Sequence, residues 1–181
     1  MATPHYSITE SENQLVIALK RRPNWLILFL TGFWLLGWIA IAGTFTYGII
    51  TDSEKVDGEL LFILFIFMFT GIFILKIFLW HLRGKEIITL NNIQLKIART
   101  GTILTVPATF EIGDIENISV GEISTIPQWI RFWGFGGGKI KFEYLGRSRY
   151  FGQTLKNYES HIILEKLKER LYAPEHHQVQ L

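Results

Sequence analysis

The chain has 181 residues, room for one modest domain or for a membrane anchor plus a small domain. Charged residues make up 19% of it, against 49% hydrophobic and 14% aromatic, a composition poorer in charge than the roughly 25% usual in soluble proteins. A net charge of +2 gives no electrostatic case for nucleic acid, and the absence of cysteine removes disulfides, thiolate metal sites, iron–sulfur clusters and thiol catalysis.

Residues 1–23 read as an N-terminal segment in which the stretch Asn13–Arg22 alternates like a strand. A cleaved signal peptide would place its cations close to the start and follow them with a shorter apolar run, so the apolar stretch that comes next is expected to stay as an anchor. Lys20, Arg21 and Arg22 stand directly before it. Residues 24–82 then form a helical hairpin, with spans at about 24–50 and 60–80. Each is long enough for the ~20 apolar residues a helix needs to cross a bilayer. Lys76 near the end of the second span can extend its stem toward the headgroups.

Lys and Arg set the direction. Lys20, Arg21 and Arg22 precede the hairpin and Arg83 and Lys85 follow it, whereas the connecting loop has Lys55 alone among four carboxylates. Both termini are therefore expected in the cytoplasm. Trp25 and Trp80 belong to the aromatic belt on that side.

Inside the first span Ala40, Thr44 and Gly48 recur every fourth residue, a small-residue stripe that permits close helix approach. Trp34 and Trp38 lie deep and one turn apart, and a buried indole N–H wants an acceptor. These five residues are candidates for contact with another membrane helix; facing lipid or packing on the second span are the alternatives. Phe62, Phe65, Phe69 and Phe73 give the second span an aromatic face. It suits lipid or hairpin packing rather than a pigment pocket, because a haem would want an axial ligand at depth and His81 sits at the border.

From residue 84 the period changes to that of strands. Lys85–Leu90 and Ile93–Arg99 flank Asn91-Asn92, Gly101 marks a turn, and Ala108–Ile123 reads as two strands broken near Gly113-Asp114. Lys139–Gly152 is a hairpin turning at Gly146. The closing element is an amphipathic helix with Tyr158, Ile162, Leu164, Leu167 and Leu171 on its apolar face, ended by Pro174. The fold class expected is α+β: a two-helix transmembrane hairpin, then a β-barrel or sandwich over 84–172 packed by a C-terminal helix. The strand-like N-terminal stretch should pair with it or lie along its edge, and 173–181 should be a disordered tail.

The spaced pattern from Trp80 through Leu82, Gly84, Glu86 and Ile88 to Leu90, the Gly-rich stretch before Ile140–Tyr144, and Phe151-Gly152 with Leu155 and Glu159 resemble the bacterial PH-like membrane proteins. The same layout, at nearly the same length, is similar to the photosystem I assembly factor family of cyanobacteria and chloroplasts. The resemblance implies a pleckstrin-homology-like fold and a non-catalytic scaffold or assembly role. Its motifs are structural, so it carries over no binding residues.

The residue types that carry chemistry form no recognisable motif. His5, His81, His161, His176 and His177 form no metal-binding spacing, and no carboxylate pair is forced together. Gly134–Lys139 tempts a phosphate-loop reading, but there the Lys would be followed by Ser or Thr opening a helix, and here Lys139 opens a strand. No cofactor, metal or catalytic residue is expected. The oddity is Trp129, Arg131, Phe132, Trp133 and Phe135 crowded before that strand with Ile130. Connections are usually polar, so this set either fills the mouth of the fold, dips into headgroups, or docks a partner. The expected function is a non-enzymatic scaffold or stabilising subunit of an integral membrane complex in the bacterial inner membrane. The alternative is a lipid-headgroup-sensing module using Arg131, Lys139, Lys141, Arg147 and Arg149. Candidate partners are an integral membrane protein complex, membrane lipids and a second copy of the chain.

Overall fold

The computed structural model describes residues 5–51, 57–121, 133 and 137–172. Two strands come first, β1 (Tyr6–Glu10) and β2 (Gln14–Lys20), followed by the long helices α1 (Trp25–Thr51) and α2 (Gly58–Arg83). Then come β3 (Lys85–Asn91), β4 (Gln94–Thr100), β5 (Ala108–Glu111), a 3-10 turn at Ile112–Asp114 and β6 (Ile115–Val120). The chain ends in β7 (Ile140–Tyr144), β8 (Arg147–Phe151) and helix α3 (Asn157–Leu171).

Helices α1 and α2 are both long and apolar enough to cross a membrane. Asn24 starts α1 by accepting the Leu26 and Ile27 N–H groups on its Oδ1, and Asp57 does the same for Leu60 in α2. Their buried positions gather at the base of the hairpin: Ile27, Leu28 and Thr31 on α1, and Ile77, Trp80 and His81 on α2. Higher up, Trp38 lies against Gly71, where an added Cβ would come within 2.1 Å of the indole.

The strands form two antiparallel sheets, one ordered β1-β2-β3-β4-β5 and one ordered β6-β7-β8. The N-terminal segment thus supplies two strands, and β2 lies inside the larger sheet. Leu15, Ile17 and Leu19 of β2 alternate inward and are fully buried, as are Ile88 and Leu90 of β3. The registers Lys20↔Lys85 and Leu19↔Glu86 mean that the chain leaves β2, runs up and down the helices, and returns to pair with the strand it left.

No closed barrel forms among the described residues. The 3-10 turn at Ile112–Asp114 separates β5 from β6, so the ladder breaks there and the two sheets face each other across one core. Phe110 of the first sheet meets Phe142 of the second edge-on at 5.0 Å, and Phe142 touches Phe151 at 5.9 Å. The β7–β8 turn is Leu145-Gly146, both at positive φ (49° and 72°), the geometry a two-residue hairpin demands.

Helix α3 closes the core with Ser160, Ile163, Leu164 and Leu167, while Tyr158 and Ile162 stay 59% and 41% exposed. This corrects the expected apolar face. The helix seats on the 160-163-164-167 row, and at its start Glu159, itself buried, accepts the Lys156 N–H at 2.7 Å, the Glu half of a capping box. Pro174 and the rest of the tail expected at 173–181 lie outside the described residues.

Candidate functional site at the base of the hairpin

The two crossings between sheet and hairpin are short: Arg21–Asn24 on one side and Gly84 alone on the other. Sheet pairing continues into them, since the Arg21 N–H donates to the Gly84 carbonyl at 3.0 Å. Polar side chains gather around this junction. One Arg21 Nη lies 2.8 Å from His81 Nε2 and the other donates to Gln153 Oε1 at 3.3 Å. His81 Nδ1 lies 2.9 Å from the Ile77 carbonyl, which can only accept, so Nδ1 carries the proton and Nε2 accepts from the guanidinium.

Burial brings the Arg21 guanidinium down to about 10, with Arg99 pushing the same way and Glu86 opposing both. Its two hydrogen-bond partners are neutral, and it forms no ion pair among the described residues. The Trp80 ring lies between the Arg21 and Arg99 guanidinium groups, 5.5 and 5.4 Å from its centroid. Trp80 Nε1 is a buried donor without an acceptor among the described residues. Glu86 points into the core from β3, accepts the Gly152 N–H at 2.8 Å and faces Arg99 Nε at 3.5 Å.

Among the described residues, three cavities adjoin this junction. The largest, 560 Å³, opens beside the start of α1 and has Arg21, Arg22, Lys139, Gln153 and Thr154 in its wall. A second of 230 Å³ lies across Trp80, between Lys76, Arg99, Leu104, Val106 and Trp133. The third, 380 Å³, has Glu86, Arg99, Phe110 and Arg149 in its wall. Among the described residues no group of three acidic, histidine or cysteine side chains could hold a metal.

Of the aromatic set before β7, Trp133 is half-buried in the second cavity. Trp129, Arg131, Phe132 and Phe135 lie outside the described residues. In the hairpin, Trp38 is used internally: its Nε1 donates to the Phe67 carbonyl at 2.9 Å and its ring stacks on Phe67 at 5.7 Å. Trp34, Ala40, Thr44 and Gly48 are exposed on the hairpin surface, and the Thr44 hydroxyl is occupied by the Ala40 carbonyl. Of the basic set, Arg131 lies outside the described residues, and the described members are spread over different surroundings. Lys139 is at the first cavity, Arg149 at the third, and Lys141 pairs with Glu143 at 3.4 Å.

Sequence reasoning passed over Arg21 and Glu86 as site residues. Arg21 was legible only as a charge at a membrane border. Glu86 carried a signal, since it falls in phase with Ile88 and Leu90, the core-facing row of its strand. Leu104 and Val106, 73% and 90% exposed beside α2, lie in the connection that follows the turn at Gly101, held by Lys76 Nζ donating to the Leu104 carbonyl. Compared with known proteins, the sequence matches no family model and no curated protein.

Proposed function

We propose that the protein is a membrane-anchored, non-enzymatic scaffold or stabilising subunit of an integral membrane complex. In this reading the hairpin crosses the bacterial cytoplasmic membrane, and both termini and a PH-like two-sheet body lie on the cytoplasmic side. The observation that carries it is the splice. The hairpin is inserted between β2 and β3, neighbouring strands of one sheet, through connections too short to swivel. A flexible tether would merely keep a domain near a bilayer. Strands running directly into helices fix which faces of the body a neighbouring complex meets. The Lys and Arg excess at the hairpin base supplies the orientation.

The aromatic set around Trp133 is the attachment surface in this reading. Trp, Phe and Arg anchor interfaces, and a buried anchor contributes upwards of ~2 kcal/mol. The test is purification of the full chain from mild detergent as wild type and as a Trp129→Ala/Trp133→Ala double variant. The wild type is expected to retain a stoichiometric membrane partner. The variant is expected to lose it while melting at the same temperature. A variant that melts early assigns these rings to the core, where a lost Trp costs about 3–5 kcal/mol, and removes the attachment surface from the argument.

A further inference from the structure

We propose that the 560 Å³ cavity beside the start of α1 is a binding site for the phosphate group of a phosphate ester, held by Arg21, Arg22 and Lys139. Its volume lies within the ~300–1,000 Å³ usual for small-molecule sites. Three of its wall residues are cations, and among the described wall residues none is a carboxylate. The polar neighbours are of the kind that completes an anion site: the Thr154 hydroxyl, and a Gln153 amide whose oxygen is already taken by Arg21, leaving its NH₂ to donate. Lys139 is steadied by a neutral acceptor, Asn157 Oδ1.

The helix end is not the source of recognition, because Asn24 Oδ1 already accepts from the Leu26 and Ile27 N–H groups. Recognition falls to the cations. Arg21 is held in a costly place, half-buried beside Arg99, bonded among the described residues to neutral acceptors and compensated only in part by the more distant Glu86, so an anion there stabilises its charge. Gly138 makes the far wall, packed so closely that an added Cβ would come within 1.8 Å of the Phe151 carbonyl oxygen. Trp25, 74% exposed at the lip, continues the cavity onto the apolar surface of α1.

That continuity suits a phospholipid with its chains along α1; a soluble phosphate ester offers the same headgroup chemistry. The lipid source, but not the phosphate site itself, rests on the hairpin crossing a bilayer. The experiment is a native mass-spectrometric titration of the full chain in uncharged maltoside micelles. The probes are phosphatidylglycerol, phosphatidylcholine with the same chains, and glycerol 1-phosphate. Arg22→Gln/Lys139→Gln is compared with Lys96→Gln/Lys168→Gln, which removes equal charge from exposed positions elsewhere.

Phosphatidylglycerol or glycerol 1-phosphate is expected to bind at least about tenfold more tightly than phosphatidylcholine, with that preference lost in the first variant and kept in the second. Binding of the lipid without competition from glycerol 1-phosphate assigns the lipid source; saturation by glycerol 1-phosphate alone assigns the soluble one. No preference for either anion, or equal loss in both variants, overturns the site. Partner retention is not read in this assay, so its failure leaves the scaffold reading standing.

Discussion

Glu86 sits where the alternation of β3 calls for an aliphatic residue, 2% exposed and level with Leu19 and Arg99 on the flanking strands. A carboxylate tolerates that row because each oxygen has a donor: Oε2 takes the Gly152 N–H, which anchors the entry to α3, and Oε1 faces Arg99. Glu86→Ala leaves a buried amide without an acceptor and Arg99 without its counter-charge. It is expected to cost about 2–3 kcal/mol, a fall in melting temperature of about 5–10 °C for a chain of this size. Glu86→Gln keeps an oxygen for Gly152 and should lose less. Equal melting of wild type and Glu86→Ala would show that the amide finds water instead. The parity of Glu86 was legible in the sequence, but its partners were not, because Gly152 and Arg99 become neighbours only through pairing across different strands. Arg21 was opaque for a similar reason: charge marks a membrane border, but only the fold brings it against His81 and Gln153.

Elements were legible in proportion to how much of their signal is local. Both long helices follow from uninterrupted apolar length, and β3, β4, β7 and β8 from alternation and turn residues. What periodicity could not give is the rotation of a packed helix. Helix α3 has apolar residues on more than one side, and the row that turns inward, Ile163, Leu164 and Leu167 with Ser160, is set by the two sheets it packs against. The hairpin poses the same problem. Ala40, Thr44 and Gly48 form the regular small-residue stripe, yet the close approach within the hairpin is at Gly71, with Trp38 filling the space a side chain would need. Gly71→Ala is therefore expected to destabilise the hairpin by about 1–3 kcal/mol, read as a melt in detergent. In a Trp38→Val background the same substitution should cost nearly nothing, since the indole it collides with is gone. An equal cost in both backgrounds would place the effect in the backbone of α2 rather than in the contact.

At the scale of the whole molecule, the sequence divides at the hairpin while the sheet does not. Composition separates residues 1–23, 24–82 and 84–172, but β2 lies between β1 and β3 and contributes Leu15, Ile17 and Leu19 to the shared core. Alternation made a strand-like N-terminal stretch that pairs with the body legible, but not its inner place in the sheet or its register, because the partner strand lies beyond both long helices. The consequence is a sharp asymmetry between two truncations. Residues 84–172 alone lack three fully buried side chains, each contributing roughly 1.5–3 kcal/mol, and expose the β3 edge they covered. That fragment is expected not to fold. A second version keeps residues 5–21, replaces 22–83 with Asn-Gly, and continues from Gly84 to Tyr172. Lys20 already pairs with Lys85 and the Arg21 N–H already meets the Gly84 carbonyl, so a two-residue type I′ turn closes the gap with the native register. This version is expected to be soluble, monomeric by size exclusion, and to unfold in one cooperative transition by circular dichroism. A cooperative transition in 84–172 alone would show that β1 and β2 are dispensable. Collapse of the Asn-Gly version would show that the two sheets need the helices beneath them, through Trp80 and His81, to hold their shape.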